Sequence, residues 1–188
     1  NLRKYPIEEI AAIMPHQEPF LFLETASIGP GEATGTYIIK GTENFLQGHF
    51  KDRPVFPASI MIEALGQLAV FYLLATDDDK LQHDVDCNSI YFASCDGVRC
   101  HRICKPGDIL TLQVRPRNIR HPLALFQGGI TVDGEKTAVA EEIKLAFDYE
   151  RVELPESVNA PSNGNLHAPA KAEDKTALGG RLGNPEKV

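Results

Sequence analysis

The chain has 188 residues, 43% of them hydrophobic, enough to bury one sizeable core. Its net charge of -7 argues against a nucleic-acid binder, whose footprint is basic. No nucleic-acid partner is therefore expected.

The chain opens at Asn1 rather than a methionine, which reads as a processed or excised start, and no charged-then-apolar signal segment follows. Ile7, Ile10, Ala11, Ile13 and Met14 recur at helical spacing, predicting a short helix that Pro15 closes. Phe20 to Ile28 reads as a first strand. Gly29-Pro30-Gly31 then turns the chain back through Glu32 to Lys40 as its hairpin partner. A loop from Gly41 to Gly48 leads to His49, and Pro54 and Pro57 hold a short extended piece after it.

Everything else is organised around the run from Ala58 to Ala75. It is apolar on nearly every side, so it predicts a helix that other elements wrap. Ser59, Glu63 and Gln67 stand four apart and stack as one polar stripe. A carboxylate inside such a helix is costly unless paired or protonated. Two readings of Glu63 stay open: a side chain reaching water at the edge of a core, or a functional acid with a partner. A membrane span is disfavoured, because Glu63 and Gln67 fall inside the run and Asp77, Asp78 and Asp79 follow it.

Beyond the helix, Asp77 to Lys80 marks exposed chain. Strands are predicted over Ser89–Ser94, Val98–Cys104, Ile109–Arg117, Leu123–Val132 and Lys136–Tyr149. Asp96-Gly97, Pro106-Gly107-Asp108, His121-Pro122 and Asp133-Gly134 separate them, the last being the best hairpin signal in the chain. Strands joined by tight turns plus one long helix make an α+β domain with an antiparallel sheet over residues 1–150. From Arg151 the composition shifts to Pro, Gly, Ser, Asn and Ala with no period, so 151–188 is expected to be a disordered tail or linker.

Cys87, Cys95, Cys100 and Cys104 lie near His83 and His101, but contain no Cys-x-x-Cys pair and match no familiar zinc spacing. They are expected to be reduced thiols packing as small hydrophobes, with no metal, in a cytoplasmic compartment.

A family resemblance joins these pieces. Met14-Pro15-His16 with Pro19-Phe20-Leu21, Gly48-His49-Phe50, Pro54-Val55-Phe56-Pro57, Glu63-Ala64-Leu65-Gly66-Gln67, Tyr91-Phe92-Ala93 and Lys105-Pro106-Gly107-Asp108 occur in one order. In this the chain resembles the 3-hydroxyacyl-[acyl-carrier-protein] dehydratases of fatty acid synthesis, from about Ile7 to Tyr149. The resemblance implies a hotdog fold, a curved antiparallel sheet wrapped around one long helix, as a homodimer that can assemble further. It implies conversion of a 3-hydroxyacyl thioester on acyl carrier protein to the trans-2-enoyl thioester, in fatty acid or polyketide synthesis. No bound cofactor is implied, since the substrate carries its own phosphopantetheine.

That elimination needs a base for the proton beside the carbonyl and an acid for the departing hydroxyl. Histidine suits the first task near neutral pH, and a carboxyl desolvated in an oily pocket can hold the proton for the second. His49 is thus assigned as base and Glu63 as acid, contributed by different subunits as the resemblance implies. Backbone N–H groups at the start of the helix would hold charge on the thioester oxygen. The family's donor is a glycine; here it is Ala58. Gln67 is either a positioner for the carboxyl or a polar contact in the dimer core. Tyr91 is either a gate on the acyl tunnel or simple packing, and that tunnel is expected between helix and sheet.

His16 is read as structural, because the family places its base elsewhere. Two further departures stand out: Gln17 replaces the family's arginine, and Lys51 its proline. Docking an acidic carrier protein onto an acidic chain needs a local positive patch, for which Lys51, Arg53, Arg99, Arg102 and Lys105 are the candidates. Two alternatives remain: a hotdog thioesterase, which has no necessary role for His49, and a catalytically silent acyl-binding protein.

Overall fold

The computed structural model describes residues 2–151. Its strands follow the inside–outside alternation of the sequence. In β6 (Ile109–Arg120), Leu110, Leu112 and Val114 point inward, while Thr111, Gln113 and Arg115 face out. β7 (Leu123–Val132) buries Ala124, Phe126, Ile130 and Val132 in the same way. β8 (Glu135–Ala146) buries Ala138 and Ala140, then switches parity to Ile143 and Leu145; β7 and β8 shift register across Phe126 and Gly128 at that point, the signature of a β-bulge.

With β1 (Arg3–Pro6), β2 (Thr25–Gly29), β3 (Glu32–Ile38), β4 (Tyr91–Asp96) and β5 (Arg99–Cys100), these strands form one sheet of order β1-β2-β3-β6-β7-β8-β4, with β5 also on β8. Every recorded pairing is antiparallel.

The sheet curves around α2 (Ala58–Ala75), as expected from its all-round apolar run; α1 (Ile7–Ile13) is the predicted short N-terminal helix. In length and composition α2 would also suit a membrane span, but 61% of it is buried against its own chain. Contact between helix and sheet is close because β3 and β7 each present a glycine. A Cβ at Gly35 would stand 3.3 Å from Leu68 and 2.9 Å from the Thr25 carbonyl, and one at Gly128 would stand 3.1 Å from Leu65. Leu65 and Leu68 are both wholly buried, each contributing about 1.5–3 kcal/mol.

Three expectations about elements need correction. β1 was not foreseen, since Arg-Lys-Tyr-Pro has no alternation to read and buries Tyr5 alone. The strand expected from Phe20 begins only at Thr25: Leu21, Phe22 and Leu23 are all buried in succession, which an alternating strand with one wet face cannot do. The strand expected over Val98–Cys104 shrinks to β5, because the chain then leaves the sheet edge. Cys104 is buried, and its carbonyl accepts a hydrogen bond from Phe56 N–H just ahead of α2. The expected tail lies, from residue 152 on, outside the described residues.

Candidate active site

His49 sits on a loop fixed at both ends. Before it, a 3-10 turn (Asn44–Gln47) places Phe45 against Phe56, ring centroids 5.6 Å apart, and Phe56 packs on Tyr37 at 5.8 Å. Glu43 ties the turn to the sheet, accepting from the Tyr37 hydroxyl at 2.9 Å and from the Lys40 and Gly41 amides at 2.8 and 2.7 Å. Burial, reinforced by that carboxylate, pushes the Tyr37 phenol well above its ordinary range, so it stays a donor. After His49, the chain folds back on itself: Val55 N–H donates to the His49 carbonyl at 2.7 Å, and Phe50 and Arg53 exchange backbone bonds. Lys51 is at the exposed tip of this loop.

The same loop fixes the histidine's tautomer. His49 Nδ1 lies 2.7 Å from the Val55 carbonyl, which can only accept, so Nδ1 carries the proton and Nε2 presents a lone pair. The ring borders a cavity of about 360 Å³, together with Ala58, Met61, Cys100 and Ile103. Ala58 is the first residue of α2. Its N-cap is Pro57, with no side chain closing the end, so the leading amides lack intrahelical partners. Two larger hollows, of about 560 and 630 Å³, lie around Asp77–Asp79 at the opposite end of α2 and hold neither His49 nor Glu63.

Glu63 lies in a different setting. Gln67, only 1% exposed, donates to Glu63 Oε1 at 2.9 Å and to the Phe20 carbonyl at 3.1 Å, and it accepts from Phe22 N–H at 2.8 Å. One amide therefore both orients the carboxyl and pins the chain at Phe20–Phe22 to the helix. His16 Nε2 stands 3.7 Å from the same Glu63 oxygen. Desolvation lowers the His16 pKa, with Glu63 pulling the other way. Gln17 holds the neighbouring backbone, its amide donating to the Ala11 and Met14 carbonyls at 2.8 and 3.0 Å, so this departure from the family supplies a C-cap for α1.

The structure thus joins Glu63 with Gln67 and His49 with Ala58, but within one chain no recorded hydrogen bond or ion pair joins His49 to Glu63. Helix geometry explains the separation. Met61, on the His49 cavity, and Glu63 are two positions apart, about 200° around the axis, and so point to opposite sides. Tyr91 is 65% exposed on the edge strand β4, away from that cavity, and the neighbouring Phe92 ring lies over Gly66, one helical turn from Glu63. Sequence reasoning named His49 and Glu63 but gave His16 only a structural place; its nearness to Glu63 bridges distant parts of the chain and leaves no spacing signal.

Of the five cations considered for docking, Arg99 is paired with Glu141, and Arg102 lies within 4 Å of Asp108, Asp133 and Glu135. Among the described residues, no ion pair involves Lys51, Arg53 or Lys105. Nor is any group of three His, Cys, Asp or Glu there arranged to hold a metal. Cys104 is buried 3.8 Å from the Met61 sulfur, and burial raises its thiol to about 11, so it packs as a hydrophobe.

Comparison with known proteins bears on the family and the fold. Residues 15–141 match the model of the FabA-like domain. The 3-hydroxyacyl-[acyl-carrier-protein] dehydratase FabZ of Roseiflexus castenholzii is 34% identical over 147 residues, covering 77% of this chain and 98% of the relative. That of Clostridium novyi is 37% identical over 142 residues, covering 74% and 95%. The chain belongs to the 3-hydroxyacyl-[acyl-carrier-protein] dehydratase family. Among solved structures, the dehydratase heterocomplex ApeI:P of Xenorhabdus doucetiae superposes with a TM-score of 0.60 at 15% identity, covering 79% of this chain and 94% of that one. A protein of Helicobacter felis gives 0.56 at 14%, covering 78% and 89%. These likenesses bear on the fold, and the dehydratase hotdog is the fold observed.

Proposed function

We propose that this protein is a hydro-lyase that removes water from a 3-hydroxyacyl thioester borne by acyl carrier protein, yielding the trans-2-enoyl thioester in fatty acid synthesis. The observation that carries the reading is the complementary polarity of two groups. His49 offers an unprotonated Nε2, while Glu63 is held through Oε1 alone, leaving Oε2 free to carry a proton. His49 takes the proton beside the carbonyl, Glu63 protonates the hydroxyl, and the C–O bond breaks as water leaves. Negative charge that gathers on the thioester oxygen meets the Ala58 amide at the positive end of α2.

Because His49 and Glu63 face opposite sides of one helix, each site takes its histidine from one copy and its carboxyl from another, giving two sites per homodimer. The open aromatic strand β4 borders the Glu63 side. The flush packing at Gly35 and Gly128 leaves no slot under Leu65 and Leu68, so the acyl chain runs along the side of Gly66 and Phe92, with exposed Tyr91 at its mouth. Lys51, Arg53 and Lys105 meet the acidic carrier protein. The chemistry moves only protons and needs no cofactor beyond the substrate's own phosphopantetheine, and the expected compartment is the cytoplasm.

Incubation with a 3-hydroxyacyl thioester of acyl carrier protein tests the whole reading. Conjugated enoyl absorbance with the thioester intact is the expected result. Release of free thiol would mark a thioesterase, and no turnover would mark a silent binding protein.

A further inference from the structure

Two side-chain nitrogens face one oxygen of Glu63. Gln67 Nε2 is 2.9 Å from Oε1 and His16 Nε2 is 3.7 Å from the same atom. Gln67 cannot turn away, since its carbonyl end is held by Phe22 N–H and its amide end also by the Phe20 carbonyl.

The other nitrogen of His16 decides which tautomer stands there. Nδ1 is buried without a hydrogen-bond partner. A proton on Nδ1 would be an orphaned buried donor, whereas a bare Nδ1 leaves only an unfilled acceptor and sends the proton to Nε2, toward Glu63.

We propose that His16 is a positioning residue: as the Nε2–H tautomer it joins Gln67 in holding Glu63 Oε1, so that Oε2 is the oxygen that presents the proton to the substrate hydroxyl. The inference rests on Glu63 being the acid. The 3.7 Å separation exceeds a hydrogen bond and shortens when bound substrate completes the site, as catalytic contacts commonly do. Neutrality matters as much as direction. An imidazolium beside Glu63 would favour the carboxylate and strip away the proton that the elimination uses, while a neutral N–H orients the group without adding charge. Glu63 is the titratable group that faces His16; Gln67, from the same helix, carries no charge.

The test compares two substitutions in the full-length chain, with 3-hydroxyacyl thioester as substrate. His16→Leu removes the donor and should lower kcat roughly 10- to 100-fold while KM changes by less than about twofold. His16→Gln keeps an N–H near the position of Nε2 and should recover most of the loss. Long-range proton–nitrogen NMR of histidine-labelled wild type should show His16 as the Nε2–H tautomer before substrate is added. An Nδ1–H tautomer overturns the proposal even if His16→Leu fails to fold. So does an unchanged kcat in a folded His16→Leu, or equal impairment of both variants. Glu63→Gln, assayed alongside, separates the two ideas: if it retains activity, the reading of Glu63 as acid fails first, whereas an inactive Glu63→Gln beside an unaffected His16→Leu removes only the role of His16.

Discussion

The two sides of α2 could hardly differ more. On one, Leu65 and Leu68 rest on Gly35 and Gly128, dry and without a gap. On the other, Glu63 and His16 remain about a quarter exposed, Phe92 lies over Gly66, and β4 ends the sheet with Tyr91 open to solvent. The first side is complete in one chain. The second holds Glu63 and His16, and on the proposed reading another copy completes it. The side that Leu65 and Leu68 share with Met61 holds the core, whereas Glu63 lies on the open side, and substitutions at Leu68 and at Glu63 should fail in different ways.

The largest expected effect comes from the pair that α2 keeps apart. His49→Ala and Glu63→Gln should each lower kcat/KM by about 10²- to 10⁴-fold while Tm hardly moves, because neither side chain carries the core. Mixing the two inactive variants under conditions that exchange subunits gives the sharper result. A heterodimer of one chain of each kind has one intact site, and random mixing makes half the dimers of this type. Steady-state assays should then recover about a quarter of wild-type activity. No recovery, with exchange demonstrated by mass spectrometry, would place both groups in one chain's site and undo the contrast.

The opposite side should answer in stability. Leu68→Ala leaves a cavity against Gly35 and should cost about 2–5 kcal/mol in denaturant unfolding, with kcat per folded molecule close to wild type. A variant of unchanged stability but lower kcat would mean that the dry side, too, shapes the site.

How much of this was legible in the sequence follows the same division. The bounds of α2 could be read directly, since an all-round apolar run between Pro57 and Asp77 admits few alternatives. The strands that cover its dry side, β6 to β8, announce themselves by alternation. β1 and β5 were missed or overextended, because each is so short that no period develops and tertiary contacts, the Tyr5 packing and the Phe56–Cys104 bond, set their ends. At the site, His49 and Glu63 stood out by residue type and motif. Their tautomer and oxygen assignments did not, because these depend on single hydrogen bonds to Val55 and Gln67 that folding creates. His16 is the clearest case: beside Pro15 at the end of a short helix it looks like punctuation, and only the packed structure brings it to Glu63.

The smallest expected effect sharpens the comparison from the chemical side. Burial of His16 lowers its pKa below the ordinary 6.5, and the Glu63 charge only partly opposes this. Between the lowered folded value and 6.5 the unfolded chain therefore binds more protons than the folded one. By linkage, the stability associated with neutral His16 is fully present above pH 6.5 and is lost as the pH falls toward the folded value. His16→Leu has no such proton to bind. Its Tm should decline less steeply than that of wild type as the pH is lowered from 6.5, while above that range the two profiles should run parallel. Parallel curves throughout would mean that His16 takes up its proton as readily folded as unfolded, and the catalytic side of α2 would then hold no enforced neutral donor.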